Sequence, residues 1–368
     1  MSAETGIETL TLADLRDLRE TVRSFLAATA TEDVVRAAMA EETFDRSRWA
    51  ALETELGVLD VLGNRAALPA LGVVAEELGR VVFPGPFVGG MAAAAQAYLH
   101  HPDPERGTEM LDRIRAGSLI AATCLDGRAV QELQLVRKAG GWTVTGSVAA
   151  VVDAPIADIA VLAARAADGV VVIGVELGGD SAEVTALPAI DQTRGQGDIR
   201  VSRAPAEILV TADHAASFIR AADAQARALL AAEQVGGLEA VFAMAVDYAR
   251  TRRQFGRAIG SFQAIKHRCA DMFVTVQGAR SLAEEAVTLA ARPETELDPR
   301  ILAAHSYCTE SFVAAAEANI QIHGGIGFTW EHSAHLHLKR ARGSQVLLGS
   351  PVAVRALLMD RLRGVATA

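Results

Sequence analysis

From residue 213 almost to the C-terminus, apolar residues recur at helical spacing in four long segments, 218–250, 262–291, 299–323 and 350–363. Segments this long, each with one apolar face, must bury those faces against one another. The arrangement expected for four such segments is a four-helix bundle. The rhythm upstream is different. Short runs rich in Val and Ile (119–124, 130–137, 141–152, 156–163, 169–175, 184–187 and 206–210) alternate with turn signals such as Gly140-Gly141 and Ala167-Asp168-Gly169. Strands of that length and spacing predict a small antiparallel β sandwich or barrel.

The first third reads as helices again. Segment 11–26 carries Leu12, Leu15, Leu18, Val22 and Leu26 on one face, with Thr11 and Asp14 as a capping pair. Segment 44–56 uses Phe44, Trp49, Leu52 and Leu56 and stops at Gly57. Helices are also expected over 71–82, stopped before Pro84-Gly85-Pro86, over 88–99 and over 109–114. The expected fold is mainly α with a β middle domain. It comprises an N-terminal helical domain (1–117), a middle β domain (118–212) and a C-terminal helical bundle (213–368), with no tandem repeat.

Composition narrows the function classes. The 368 residues allow two or three cores. A formal charge of −10 argues against nucleic acid or an anionic membrane as the main partner. No apolar run approaches the ~18 uninterrupted residues of a membrane helix. The opening MSAETGIETL is acidic where a signal peptide would be basic. A soluble, cytoplasmic chain is expected. Cys124, Cys269 and Cys308 are far apart and form no CxxC, so reduced, buried thiols are expected.

Two stretches are more specialised than helix connections need: 248–263, YARTRRQFGRAIGSFQ, and 321–342, QIHGGIGFTWEHSAHLHLKRAR. Arg252 and Arg253 end a long helix, where cations suit the helix dipole. Followed by Phe255-Gly256, they also put guanidinium forks, a flat ring and bare backbone in one loop, which fits a phosphate and a base. Gly324-Gly325 is either a plain helix stop or a place of close backbone approach to a ligand. Glu331, His332, His335 and His337 invite a metal reading. From one helix, however, the three histidines would not converge on an ion, so no metal is expected.

Arg252-Arg253-Gln254-Phe255-Gly256, with Gly260-Ser261-Phe262-Gln263 and Asp271-Met272 after it, resembles the acyl-CoA dehydrogenase family. Gln321-Ile322-His323-Gly324-Gly325-Ile326-Gly327-Phe328 is similar to that family's second pattern, and the helix–β–helix order fits the whole chain. The resemblance implies that the two loops hold the adenine and pyrophosphate half of an FAD belonging to the neighbouring subunit. By position, Arg252 would meet the pyrophosphate and Phe255 the adenosine. Gln263, Gln321, Gly324 and Gly325 would add contacts.

The sequence also departs from the family. Removing the α-proton of a CoA thioester needs a carboxylate base within reach. The family's usual position, just before a Gly, is Leu348 here, and its alternative, beside a retained Arg (Arg227), is Ala226. Asp223 and Glu233 are nearby substitutes on paper, better read as ion-paired helix carboxylates. The Trp-Ile-Thr/Ser segment that covers the flavin is replaced by Ala149-Ala150-Val151-Val152-Asp153. The polar stretch after an early strand is replaced by Thr123-Cys124-Leu125-Asp126-Gly127.

The resemblance therefore implies the base-less subunit of an actinobacterial heterotetrameric (α2β2) acyl-CoA dehydrogenase, with no catalytic residue of its own. It would share FAD with a second acyl-CoA dehydrogenase-like subunit that carries the catalytic Glu. The acyl-CoA would lie on the partner's side, and an electron-transfer acceptor would complete the cycle. Related mixed assemblies act on bulky CoA esters, including steroid side-chain thioesters. The alternatives are a homo-oligomeric flavoenzyme with a displaced base, or a flavin-free acyl-CoA-binding scaffold.

Overall fold

A computed structural model describes residues 11–41, 44–138, 140–292 and 297–366. The acidic opening, residues 1–10, lies outside them. Helix α1 (Leu12–Thr29) starts with a reciprocal cap: the Thr11 hydroxyl accepts from the Asp14 N–H, and the Asp14 carboxylate accepts from the Thr11 N–H at 2.7 Å. Val22 and Leu26 reach the core, whereas Leu12 stays exposed. A short α2 (Glu32–Glu41), not foreseen from the sequence, precedes α3 (Arg46–Thr54). The chain leaves α3 through Gly57 at φ +64°. Then come α4 (Leu68–Arg80), α5 (Val88–Leu99) and α6 (Pro104–Arg115), the last capped by Asp103.

The middle region contains β1 (Ala121–Cys124), α7 (Gly127–Glu132), β2 (Gln134–Lys138), β3 (Gly141–Val152), β4 (Ile159–Ala166), β5 (Gly169–Glu176), β6 (Ala182–Leu187) and β7 (Gln196–Val210). Three expectations need correction. The strand expected over 130–137 is the end of α7 followed by β2, because Gly127–Glu132 is rich in helix formers. Strand β4 starts at residue 159 rather than 156, because Pro155 sits in a single helical turn. Strand β7 is far longer than 206–210: Ile199 and Val201 point inward between outward polar residues, a half-buried alternation.

The sheet is closed. Strand β4 pairs with β2 and β5, and β5, β7, β3 and β2 complete the ring. It is not purely antiparallel, since β1 and β2 both run parallel to β4.

The C-terminal region is built on the 40-residue α8 (Ala212–Thr251), with the two-residue strands β8 (Arg253–Gln254) and β9 (Arg257–Ala258). It continues with α9 (Gln263–Ala290), α10 (Pro299–His323), α11 (Ala334–Ser344) and α12 (Pro351–Ala366). The four expected helices are present, and α11 is an addition. Helix α8 is apolar enough to cross a membrane, but 67% of that window is buried in the fold.

Glycines set how closely α8 is approached. A Cβ on Gly79 would lie 1.9 Å from the Glu233 carbonyl oxygen, and one on Gly236 1.8 Å from that of Glu76. Helices α4 and α8 thus touch backbone to backbone. Cys124 and Cys308 are buried, and neither is in a disulfide among the described residues. Cys269, expected to be buried, is half-buried.

Candidate functional site

The two specialised loops leave α8 and α10 at the same end of the bundle. Tyr248, in the last turn of α8, stacks on His323, the last residue of α10, with ring centroids 4.2 Å apart. His332 lies 4.2 Å beyond His323. Nδ1–H of His323 donates to the Asn319 carbonyl at 2.8 Å, and burial holds the ring below its usual pKa. Burial holds the His332 ring below its usual pKa as well. The stack fixes Arg252 and Gly324, each just beyond it, on neighbouring surfaces.

In the first loop, β8 and β9 form a two-residue ladder closed by Phe255 at φ +52° and Gly256 at φ +76°. Two positive φ angles in sequence make a type I′ turn. Gly suits it, but a residue with a Cβ pays about 1–2 kcal/mol. The Phe255 ring is 91% exposed, its only ring neighbour among the described residues being Phe262, edge-on at 6.1 Å. A large apolar ring held out in water on strained backbone serves a group from outside the chain.

Arg252 and Arg253 are exposed, and among the described residues no carboxylate lies within ion-pair distance of either. Gln263, the first residue of α9, is exposed beside them.

In the second loop Gly324 has φ +64° and ψ −142°, a conformation open to glycine alone. Gly325 needs no such freedom, and a Cβ there would meet nothing within 4 Å. The fold itself does not demand glycine at 325, so its bare backbone is available to an incoming group. Gln321 is exposed alongside, and Phe328, 80% exposed, follows. Arg252, Phe255, Gln263, Gln321, Gly324 and Gly325 are thus displayed at one end of the bundle, exposed among the described residues. Free guanidinium forks, an exposed ring and bare glycine backbone fit the phosphates and base of a dinucleotide.

The positions where a base would stand come together elsewhere. Ala226 and Leu230 of α8, Leu347 and Leu348 ahead of α12, Phe87 before α5 and Val152 at the end of β3 form one small apolar cluster. Helix α5 lies over it closely enough that a Cβ on Gly89 would be 3.0 Å from the Ala226 Cα. The two alternative base positions therefore belong to one site, and both are hydrocarbon.

Arg227 turns away. Its Nε donates to Asp223 Oδ2 at 2.8 Å, and its Nη1 to His305 Nδ1 at 2.9 Å. Burial first, and Arg227 second, hold His305 down to about 3, so it is neutral. Asp223 is occupied as this partner. Glu233 is fully buried and bound by Arg194 at 2.7 Å and Arg340 at 2.8 Å. Burial alone would raise its pKa, but the two guanidiniums prevail and keep it ionised. Neither carboxylate is free to take a substrate proton.

Asp153 went unrecognised as a site residue in the sequence. It follows Val152 at φ +62° and is buried; its Oδ2 accepts the Phe87 N–H at 2.6 Å, and its Oδ1 has no hydrogen-bond partner among the described residues. Burial pushes its pKa up to about 6. The available signal was a polar residue ending a Val-rich strand before Ala-Pro. Ionising it opposes folding. The cost is absent below the ordinary value of 3.8, grows as pH rises through about 6, and then levels at about 3 kcal/mol. Asp153→Asn keeps an acceptor for Phe87 but cannot ionise. Between pH 4 and 7 the native chain will lose stability that the variant retains, as read from urea midpoints across that range.

The histidines beyond the second loop have separate settings. His332 lies on His323, and His335 meets Trp330 edge-on at 4.7 Å. His337 is buried and held down to about 3 by burial. Among the described residues no three His, Cys, Asp or Glu side chains gather as a metal site.

Residues 218–362 match the acyl-CoA dehydrogenase C-terminal domain. Acyl-CoA dehydrogenase IpdE2 of Mycobacterium tuberculosis is 36% identical over 342 residues, spanning 91% of this chain and 92% of that protein. IpdE2 of Mycolicibacterium smegmatis is 31% identical over 341 residues, 91% of this chain and 94% of that protein. Among solved structures, the ChsE4-ChsE5 complex from Mycobacterium tuberculosis superposes with a TM-score of 0.86 at 26% identity, covering 97% of this chain and 99% of that one. A Tcur3481-Tcur3483 steroid ACAD variant gives 0.86 at 25% identity, with the same coverage.

Proposed function

We propose that this chain, which belongs to the acyl-CoA dehydrogenase family, is the non-catalytic subunit of a heteromeric, FAD-dependent acyl-CoA dehydrogenase. The observation that carries this reading is the contrast between the two sites. The residues that would serve a neighbour's FAD are exposed, and among the described residues no carboxylate pairs with Arg252. Both positions that would hold this chain's own base are hydrocarbon and lie in or against one apolar cluster. A second acyl-CoA dehydrogenase-like subunit would supply the carboxylate, the flavin-ring pocket and the acyl-CoA site, in an α2β2 assembly. The similarity to chains of the ChsE4-ChsE5 and Tcur3481-Tcur3483 assemblies supports a mixed complex.

In that assembly FAD, when bound, would supply the acceptor for the β-hydride of the thioester. Arg252 would neutralise pyrophosphate charge through its guanidinium fork. Phe255 would pack against the adenosine half. Gly324 and Gly325 let backbone approach the same cofactor, with Gln321 and Gln263 as polar contacts. The partner's carboxylate takes the α-proton. A steroid side-chain thioester is the substrate class we favour, by analogy with the steroid ACAD relative. A separate electron-transfer protein would reoxidise the flavin, and a cytoplasmic location completes the proposal.

The test is the visible spectrum of this chain purified alone and then co-expressed with an acyl-CoA dehydrogenase-like partner. We expect a colourless, inactive chain alone and a yellow, active heterotetramer with the partner. A chain that is yellow and oxidises an acyl-CoA on its own would overturn the reading. Asp153, the buried carboxylate beside the cluster, would then be the base to replace.

A further inference from the structure

We propose that the cations around the first loop form a docking surface for an acidic face of the second acyl-CoA dehydrogenase-like subunit, an inference that rests on the function proposed above. Six cations, Arg250, Arg252, Arg253, Arg257, Lys266 and Arg268, lie between residues 247 and 271, against two carboxylates, Asp247 and Asp271. All six are exposed, and among the described residues no carboxylate lies within ion-pair distance of any of them. Arg257 rests over the Phe262 ring at 4.0 Å, which leaves its charge uncompensated. This is unusual in a chain whose formal charge is −10. Elsewhere exposed arginines find carboxylates, as Arg46 does with Asp158, Arg300 with Asp298 and Arg355 with Glu310.

Two of the six also stand against their own helix. Lys266 and Arg268 lie in the first two turns of α9, the end where the helix dipole favours carboxylates, and its first turn holds no acidic residue. Cations there gain nothing from the fold of this chain. Their counter-charge has to come from outside it.

A shared FAD answers only part of that charge, since its pyrophosphate is assigned to Arg252. The other five cations spread from the last turn of α8 through β8 and β9 to the second turn of α9. They surround the loop that has to meet the neighbouring subunit. Phe328 and Trp330 of the second loop are exposed at the same end of the bundle, with the Lys339 ammonium 4.5 Å over the Trp330 ring. Arginine beside exposed aromatic rings is the composition of a protein–protein contact. The electrostatic complement of this one is acidic.

The experiment dilutes the co-expressed complex, with FAD in excess, and reads its subunit dissociation constant by fluorescence of a labelled partner. Between about 50 and about 500 mM NaCl that constant will rise at least about tenfold. The double variant Lys266→Glu/Arg268→Glu will weaken assembly about tenfold or more at the lower salt and flatten the salt dependence. Thermal unfolding of this chain alone will show the double variant no less stable, because carboxylates suit that helix end. At concentrations where the variant assembles, it will hold its full flavin. Arg220→Glu, an exposed reversal earlier on α8, will leave assembly unchanged. Assembly indifferent to salt and to the double variant, in a complex that still shares its flavin, would overturn the docking surface alone. Lost flavin at undiminished assembly would hand these cations to the cofactor and overturn it too. A chain that is yellow and active without a partner would instead remove the functional reading, and this inference with it.

Discussion

Arg252→Glu, made in the assembled complex, will yield tetramer with less than about a tenth of the flavin absorbance of the unmodified complex. A guanidinium–phosphate bond contributes about 1.5–3 kcal/mol, and reversing its charge adds repulsion against the pyrophosphate. The combined loss is two orders of magnitude or more in cofactor affinity. The substitution should not disturb the chain itself. Arg252 is exposed, its side chain makes no ion pair among the described residues, and only its backbone is used, accepting from Ile259 and donating to Tyr248. Sedimentation will therefore report the same assembly, and thermal unfolding of the chain alone the same midpoint. Full flavin content in the variant would mean that this loop does not touch the cofactor, and the proposed role of the chain would fall with it.

What could be read in the sequence, and what could not, follows from how local each feature is. Thr11 with Asp14, Gly57 and the Ala-rich 88–99 helix are signals carried within a few residues, and the structure reproduces them. The two loops stood out for the same reason: a large apolar ring such as Phe255 beside two arginines is more than a plain solvent turn needs. Pairing partners were not legible. Closing the sheet through β4, and the length of β7, depend on contacts between segments far apart in the chain. So does the meeting of Ala226 with Leu348, more than a hundred residues away, in one cluster. A sequence names the residues missing from a site; only the fold tells whether two vacancies are the same vacancy.

The other large effect is expected far from any ligand, where the same non-local logic governs stability. Arg340 is almost wholly buried. Its Nε donates to Asp191 at 2.6 Å, its Nη1 to Glu233 at 2.8 Å, and its Nη2 to Thr193 and to the Phe83 carbonyl. One guanidinium on α11 thus ties the segment between β6 and β7 to α8 and to the connection between α4 and α5. Arg340→Met preserves volume but strands Asp191, while Glu233 keeps Arg194. Leaving a buried charge without its partner costs about 3–5 kcal/mol, so the urea midpoint at neutral pH will fall sharply.

The pH dependence gives the effect its signature. Burial would raise both carboxylates, but the arginines hold Asp191 and Glu233 below their ordinary values. Their contribution is therefore full above the unfolded carboxylate range and is lost as pH falls through about 4 toward the folded values. In Arg340→Met, Asp191 no longer has its strongest reason to stay ionised. The gap between native and variant midpoints will be widest at pH 7 and will narrow below about pH 4.5. A gap that stays constant down to pH 3.5 would show that packing, rather than the ion network, is what Arg340 supplies.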